Sequence, residues 1–89
     1  MKTALVTGAS RGIGEAIARE LSADGFMVYI NYNSSHEKAL ALASEIGGAA
    51  IKADVSDFAQ VRSMFDEIGE INVLVCNAGI AESGLFSDI

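Results

Sequence analysis

Short apolar runs alternate with longer amphipathic ones along this chain, and the alternation predicts its elements. Thr3 to Thr7 reads as a short buried strand stopped by Gly8. Ile13, Ala16, Ile17 and Leu21 then recur at helical spacing, and Asp24-Gly25 ends that helix. Phe26 to Tyr32 is apolar and β-rich, a second strand. Ser34-Ser35-His36-Glu37 fits a capping box, with Ser34 at the N-cap and Glu37 reaching back. Ala39, Leu40, Ala43 and Ile46 give the next helix its apolar face, and Gly47-Gly48 terminates it. Ala49 to Ala53 is a third strand. Asp57 with Gln60 can cap a third helix, on which Phe58, Val61, Phe65 and Ile68 form one stripe ending at Gly69. Ile71 to Cys76 is a fourth strand.

Strand–helix alternation of this kind specifies parallel strands joined by right-handed crossovers. The fold class expected is therefore α/β, with helices on both faces of the sheet. Nine glycines at the turns and no proline to break a helix suit it. The stretch from Ala81 to Ile89 starts a further element without completing it, so the chain is expected to be an excerpt of a longer protein.

With 89 residues there is room for one small domain, and 51% hydrophobic with 20% charged residues is the composition of a globular core. A net charge of −6 speaks against non-specific nucleic-acid binding, which needs a positive surface, and against anionic membranes. The longest apolar run is too short to span a bilayer, and the N-terminus enters a strand at once with no signal-peptide pattern, so a cytoplasmic protein is expected. A lone cysteine, Cys76, excludes an internal disulfide.

The chemistry gathers at Thr7-Gly8-Ala9-Ser10-Arg11-Gly12-Ile13-Gly14, between the first strand and the first helix. Phosphates bind at this junction in α/β sheets, where the free N–H groups and positive dipole end of the helix face the anion. Gly8 lets the chain turn off the strand, Gly12 leaves the backbone bare for a pyrophosphate, and Gly14 lets the helix pack close to the sheet. The spacing is Gly-x-x-x-Gly-x-Gly, not Gly-x-Gly-x-x-Gly, and no Gly-Lys-Ser/Thr of a P-loop follows.

These residues resemble those of the short-chain dehydrogenase/reductase family. Thr7 to Gly14 is similar to its Thr-Gly-x-x-x-Gly-Ile-Gly motif, and Asp54-Val55 falls where the family holds adenine. Cys76-Asn77-Ala78-Gly79 is similar to its Asn-Asn-Ala-Gly motif. Within the family the likeness is to 3-oxoacyl-acyl-carrier-protein reductases. The resemblance implies a Rossmann-type sheet of strand order 3-2-1-4, with residues 1–89 as the incomplete N-terminal portion of one NAD(P)-binding domain. It implies that Gly8, Gly12 and Gly14, with Ser10 and the Ile13 backbone, hold the pyrophosphate and adenosine ribose. Asp54 would accept from the adenine amino group and the Val55 N–H would donate to a ring nitrogen. Ala78 and Gly79 would run beside the nicotinamide-side ribose, and Asn77 would tie the fourth strand to its neighbours. Cys76 stands where the family usually has asparagine and reads as a small buried residue, not a nucleophile. The parent protein would be a homo-oligomer, a tetramer or a dimer, in fatty acid biosynthesis.

Charge separates the two nicotinamide cofactors. An NAD enzyme carries an acid at the end of the second strand to grip the ribose 2′-hydroxyl, and Ile30-Asn31-Tyr32-Asn33-Ser34 has none. Arg11 can offer a charge-assisted bond to a 2′-phosphate, and Ser34 and Ser35 can add hydroxyls, so NADP(H) is favoured over NAD(H). Many relatives have a basic residue near Asn33 and this chain does not. The only histidine, His36, is expected to be solvated in the first turn of a helix, and Arg19, Glu20, Glu37, Lys38, Glu67 and Glu70 to lie on solvent faces. The family's catalytic Tyr-x-x-x-Lys is absent: four residues after Tyr29 comes Asn33, and after Tyr32, His36. Catalytic residues would lie beyond Ile89, and the chain alone would not transfer hydride. The other readings are a non-catalytic module binding a nucleotide or a partner protein, and an inactive fragment.

Overall fold

The computed structural model describes residues 2–9 and 12–76. They build four strands and three helices in strict alternation: β1 Thr3–Thr7, α1 Gly12–Ala23, β2 Met27–Tyr32, α2 His36–Ile46, β3 Ala49–Lys52, α3 Phe58–Ile68 and β4 Val73–Cys76. All pairings are parallel and the sheet order is β3-β2-β1-β4. This is the expected 3-2-1-4 order. In register, Thr7 lies beside Asn31 and Cys76, and Asn31 beside Ile51, so the strands end at nearly one level.

The period-2 alternation of side chains divides the sheet into two cores. Ala4, Val6, Val28 and Ile30 face one side and are covered by Ala18 of α1 and Ala39, Leu42 and Ala43 of α2. Leu5 and Ile51 face the other side with Ala53, under Met64 of α3, and Val61 joins Val55 beside them. The central β1 is sealed on both faces, with Ala4, Leu5 and Val6 all 0% exposed. That double burial explains why its sequence is continuously apolar.

The helix faces depart from the periodicity in instructive ways. On α1 the buried positions are Gly14 and Ala18, with Ile17 and Leu21 half-buried. Ile13 and Ala16, expected on the apolar face, are exposed, Ile13 at 71%. Gly14 and Ala18, four apart, lie one above the other on the face toward the sheet, and Ile13 and Ala16 lie about 100° and 200° around the helix from Gly14. On α2 the interior is Ala39, Leu42 and Ala43, while Leu40 is 47% exposed; it lies about 100° around the helix from Ala39. On α3, Val61 and Met64 are buried, Phe65 and Ile68 flank them, and Phe58 stands 64% exposed in the first turn, beyond the sheet edge of the stripe.

Element ends also moved. β2 begins at Met27, one residue after Phe26; β3 ends at Lys52, although the Ala53 N–H still donates to the Tyr32 carbonyl at 2.9 Å and prolongs the pairing by one step. β4 begins at Val73, and Ile71 packs against the α3-side core. The capping box at Ser34 is not formed. The N-cap of α2 is Ser35, and its side chain makes no capping bond. Its φ/ψ of −88°/58° is not the extended backbone that aims a hydroxyl at the following N–H groups. Asp57 caps α3 as expected, accepting from the Ala59 and Gln60 N–H groups.

Two links tie α1 to α2. Ser22 Oγ donates to the Ile46 carbonyl at 2.9 Å, and Arg19 bridges Glu15 at 2.9 Å and Glu45 at 3.3 Å. These bonds raise the Arg19 pKa; the group remains exposed, on the solvent face expected of it, but not alone there.

Candidate functional site

Parallel strands joined by crossovers bring every strand-to-helix loop to one end of the sheet, and the strand order reverses between β1 and β4. Three of the four sequence motifs therefore meet at the carboxyl edge among the described residues. They are the glycine loop after β1, Tyr32-Asn33-Ser34 after β2, and Asp54-Val55 after β3. Asn77, Ala78 and Gly79 lie outside the described residues, as do Ser10 and Arg11 of the glycine loop.

The glycine loop leaves β1 with Gly8 at φ 66° and enters α1 with Gly12 at φ 64°. Between them Ala9 is fully buried in the core and anchors the turn. Among the described residues nothing lies within 4 Å of the point where a Cβ on Gly12 would sit, so bare main chain at the start of α1 faces open space that an anion can approach. Gly14, the third residue of α1, is buried, and Ile13 beside it is exposed.

At the end of β3 the chain folds into a tight turn organised by Asp54. Its Oδ1 accepts from the Ser56 N–H at 2.9 Å and from Ser56 Oγ at 2.6 Å, and these bonds hold the Asp54 pKa below the ordinary 3.8. An ionised, fixed carboxylate can serve as acceptor for an N–H donor such as an adenine amino group. The Asp54 N–H donates to Gln60 Oε1 at 2.9 Å, while Gln60 Nε2 donates to Asp57 Oδ2 at 3.1 Å, so the helix cap also steadies the loop. The Val55 side chain is buried with Val61 against Phe65, Leu74 and Cys76, which fixes the backbone of that turn from below. Behind it, the buried Asn31 donates from Nδ2 to the carbonyls of Ala53 at 3.0 Å and Ile51 at 3.4 Å.

After β2, Tyr32 is half-buried and packs against the α1/α2 core, whereas Asn33 and Ser34 are exposed. His36 is exposed, as expected, but not merely solvated: its Nδ1 lies 2.8 Å from the Tyr32 hydroxyl. Cys76 ends β4 half-buried, and burial raises its thiol pKa above the ordinary 9.0. A thiol held protonated is a poor nucleophile. The sequence reading missed the roles of Ser56 and Asn31 and the bond from the Asp54 N–H to Gln60, which it had placed only at the helix cap. The Asp-x-Ser spacing of an Asx-turn was the available signal for Ser56; the partners of Asn31 are supplied by tertiary contact.

Strand order and helix placement define an α/β protein of the Rossmann type. The short chain dehydrogenase family model matches residues 2–89, and the chain belongs to that family. Among curated proteins it is 46% identical to the 3-oxoacyl-[acyl-carrier-protein] reductase FabG of Staphylococcus aureus, over 94% of this chain and 38% of that protein. It is 43% identical to the oxidoreductase UcpA of Salmonella typhimurium, over 99% of this chain and 36% of that one. The chain thus spans less than half the length of these relatives. Among solved structures, a short chain dehydrogenase from Burkholderia cenocepacia in complex with NADP superposes with a TM-score of 0.83 at 44% identity, covering 99% of this chain and 40% of that one. BdcA in complex with NADPH superposes with a TM-score of 0.81 at 41% identity, covering 88% and 32%.

Proposed function

We infer that this chain is the NADP(H)-binding portion of a short chain dehydrogenase, the N-terminal part of a single dinucleotide-binding domain. The parent activity is NADPH-dependent reduction of a ketone to an alcohol, with 3-oxoacyl thioesters the favoured substrate class. On the same reading the parent is a cytoplasmic homo-oligomer serving fatty acid synthesis. The observation that carries the cofactor reading is the β1–α1 junction: Gly8 and Gly12 at positive φ, with open space where a Gly12 side chain would stand. The NADP and NADPH named in the two solved relatives support the same class of ligand.

The residues divide the ligand among them. Gly8, Ser10, Gly12, Ile13 and Gly14 offer the pyrophosphate main-chain N–H groups and close approach; Arg11 offers a 2′-phosphate its charge. Asp54, with Oδ1 occupied by Ser56, keeps Oδ2 for the adenine amino group. Val55 supplies an N–H to the ring, and Tyr32, Asn33 and Ser34 border the ribose. Asn77, Ala78 and Gly79 serve the nicotinamide side. When bound, the dinucleotide supplies the hydride. This sequence holds no Tyr-x-x-x-Lys to supply the proton, so catalysis is assigned to the remainder of the parent protein.

Calorimetric titration of the chain with NADPH, NADH, 2′,5′-ADP and 5′-AMP tests the reading. NADPH and 2′,5′-ADP are expected to bind more tightly than their counterparts lacking the 2′-phosphate, and Gly12→Val to abolish binding of all four. Equal affinities within each pair would end the NADP assignment; unaltered binding by Gly12→Val would remove the glycine loop from the site.

A further inference from the structure

The sheet ends at β3, which pairs with β2 alone among the described residues. In the Rossmann strand order further strands are added beside β4, so β3 stays the outermost strand of a longer sheet. We propose that this edge is a self-association surface, on which β3 of a second copy of the chain pairs antiparallel about a two-fold axis at Ile51. The proposal goes beyond the function given above and does not depend on the cofactor.

Main-chain direction is the first argument. The Ala53 N–H donates inward to the Tyr32 carbonyl, and successive residues of a strand alternate in direction. Ala49 and Ile51 therefore also address β2, while the N–H and C=O groups of Ala50 and Lys52 address the open side. Another extended chain satisfies such an edge in full. With Ile51 facing Ile51 across the axis, Ala50 of each copy lies opposite Lys52 of the other, and each such pair exchanges both of its N–H···O bonds. The strand holds no proline to forbid this, and Lys52 is its only charge.

The faces on either side of the edge are the second. α1 packs on β1 and β2, and α2 on β2 and β3, so the flank of α2 away from α1 overhangs the β3 edge. Glu45 marks the α1 side of α2 by its ion pair with Arg19. Leu40 lies about 140° around the helix from Glu45, on the overhanging flank, and is 47% exposed. On the other face a groove of about 240 Å³ runs between β3 and α3. Its floor includes the buried Ile51 and Met64, and its rim carries the exposed Lys52, Gln60, Ser63 and Glu67. The two-fold axis turns Leu40 of the two copies toward each other on one face and joins the two grooves on the other. Because α3 returns antiparallel to β3, Glu67 lies toward the Ala49 end of the strand and Lys52 at the opposite end. Antiparallel pairing therefore brings Lys52 of one copy toward Glu67 of the other, and the rim charges are complementary across the axis.

Sedimentation equilibrium of the chain between about 1 μM and 1 mM tests the surface. A charge of −6 per copy opposes association, so the buffer holds about 150 mM salt to screen it. A dimer is expected, with amide exchange at Ala50 and Lys52 slowing as concentration rises. Leu40→Glu replaces an exposed side chain and should leave the fold intact by circular dichroism, while weakening the dimer by at least about tenfold. Lys52→Glu and Glu67→Lys should each weaken it about tenfold, and the double variant should recover the wild-type constant. A monomer throughout the concentration range overturns the proposal. A dimer indifferent to Leu40→Glu and to both charge reversals, or one whose Ala50 and Lys52 amides stay unprotected, uses another surface and overturns it equally. None of these results bears on the cofactor reading, which the nucleotide titration decides.

Discussion

Asp54 organises its own turn and, on the function proposed above, would also accept from the adenine amino group. Ser56 holds its Oδ1 through two bonds and lowers its pKa below 3.8, so these bonds stabilise the turn above that pH and are lost as pH falls through the folded value. Adenine affinity should therefore be insensitive to Asp54 between about pH 5 and 8 and fail only in strong acid. A carboxyl ¹³C titration of Asp54 with its midpoint above the ordinary value would contradict the assigned bonds. Asn31 works from behind the same turn. With 2% exposure, its loss in Asn31→Ala strands two carbonyls, a cost of about 2 kcal/mol measurable by urea unfolding. Cys76 lies at the other extreme. Its raised thiol pKa predicts slower reaction with a disulfide reagent at neutral pH than free cysteine shows, and Cys76→Ser should leave nucleotide affinity unchanged.

Among the elements, α3 owes its start to one carboxylate. Asp57 binds the Ala59 and Gln60 N–H groups, and Asp57→Ala should cost about 1 kcal/mol of stability. Because Gln60 also holds the Asp54 N–H, the same variant should loosen the adenine turn, visible as faster amide exchange at Asp54. The α2–β3 connection is limited by space. A Cβ on Gly48 would strike the Val28 carbonyl oxygen, a backbone atom held in the sheet. Gly48→Ala is therefore expected to destabilise by about 2 kcal/mol, lowering the melting temperature by about 10 °C. A neutral result would mean that β2 and β3 can separate more freely than their register implies.

For the molecule as a whole, the sheet brings three motifs separated in sequence to one edge among the described residues. No helix among the described residues is long and apolar enough to cross a membrane. Ligand that binds only the folded form adds stability by mass action, about 2.7 kcal/mol at a hundredfold excess over Kd. NADPH should accordingly raise the melting temperature of this chain in a concentration-dependent way, and more than NADH does at equal concentration. Absence of any shift at millimolar NADPH would count against binding at the glycine loop.

Chain order and periodicity alone determined the number and kind of elements, their parallel sense and the edge on which Gly8, Gly12 and Asp54 gather, because apolar spacing and crossover handedness leave few arrangements. The helix interiors were decided only in three dimensions. Gly14 and Ala18 centre the α1 interface, and Ile13 and Ala16, about 100° and 200° around the helix from Gly14, turn to solvent; Leu42 takes the place of Leu40 on α2. Likewise the partners of Asn31, the carbonyls of Ile51 and Ala53, come from the neighbouring strand. A hydrogen bond needs donor and acceptor within about 3 Å, and across so long a stretch of chain only the closed sheet fixes that distance.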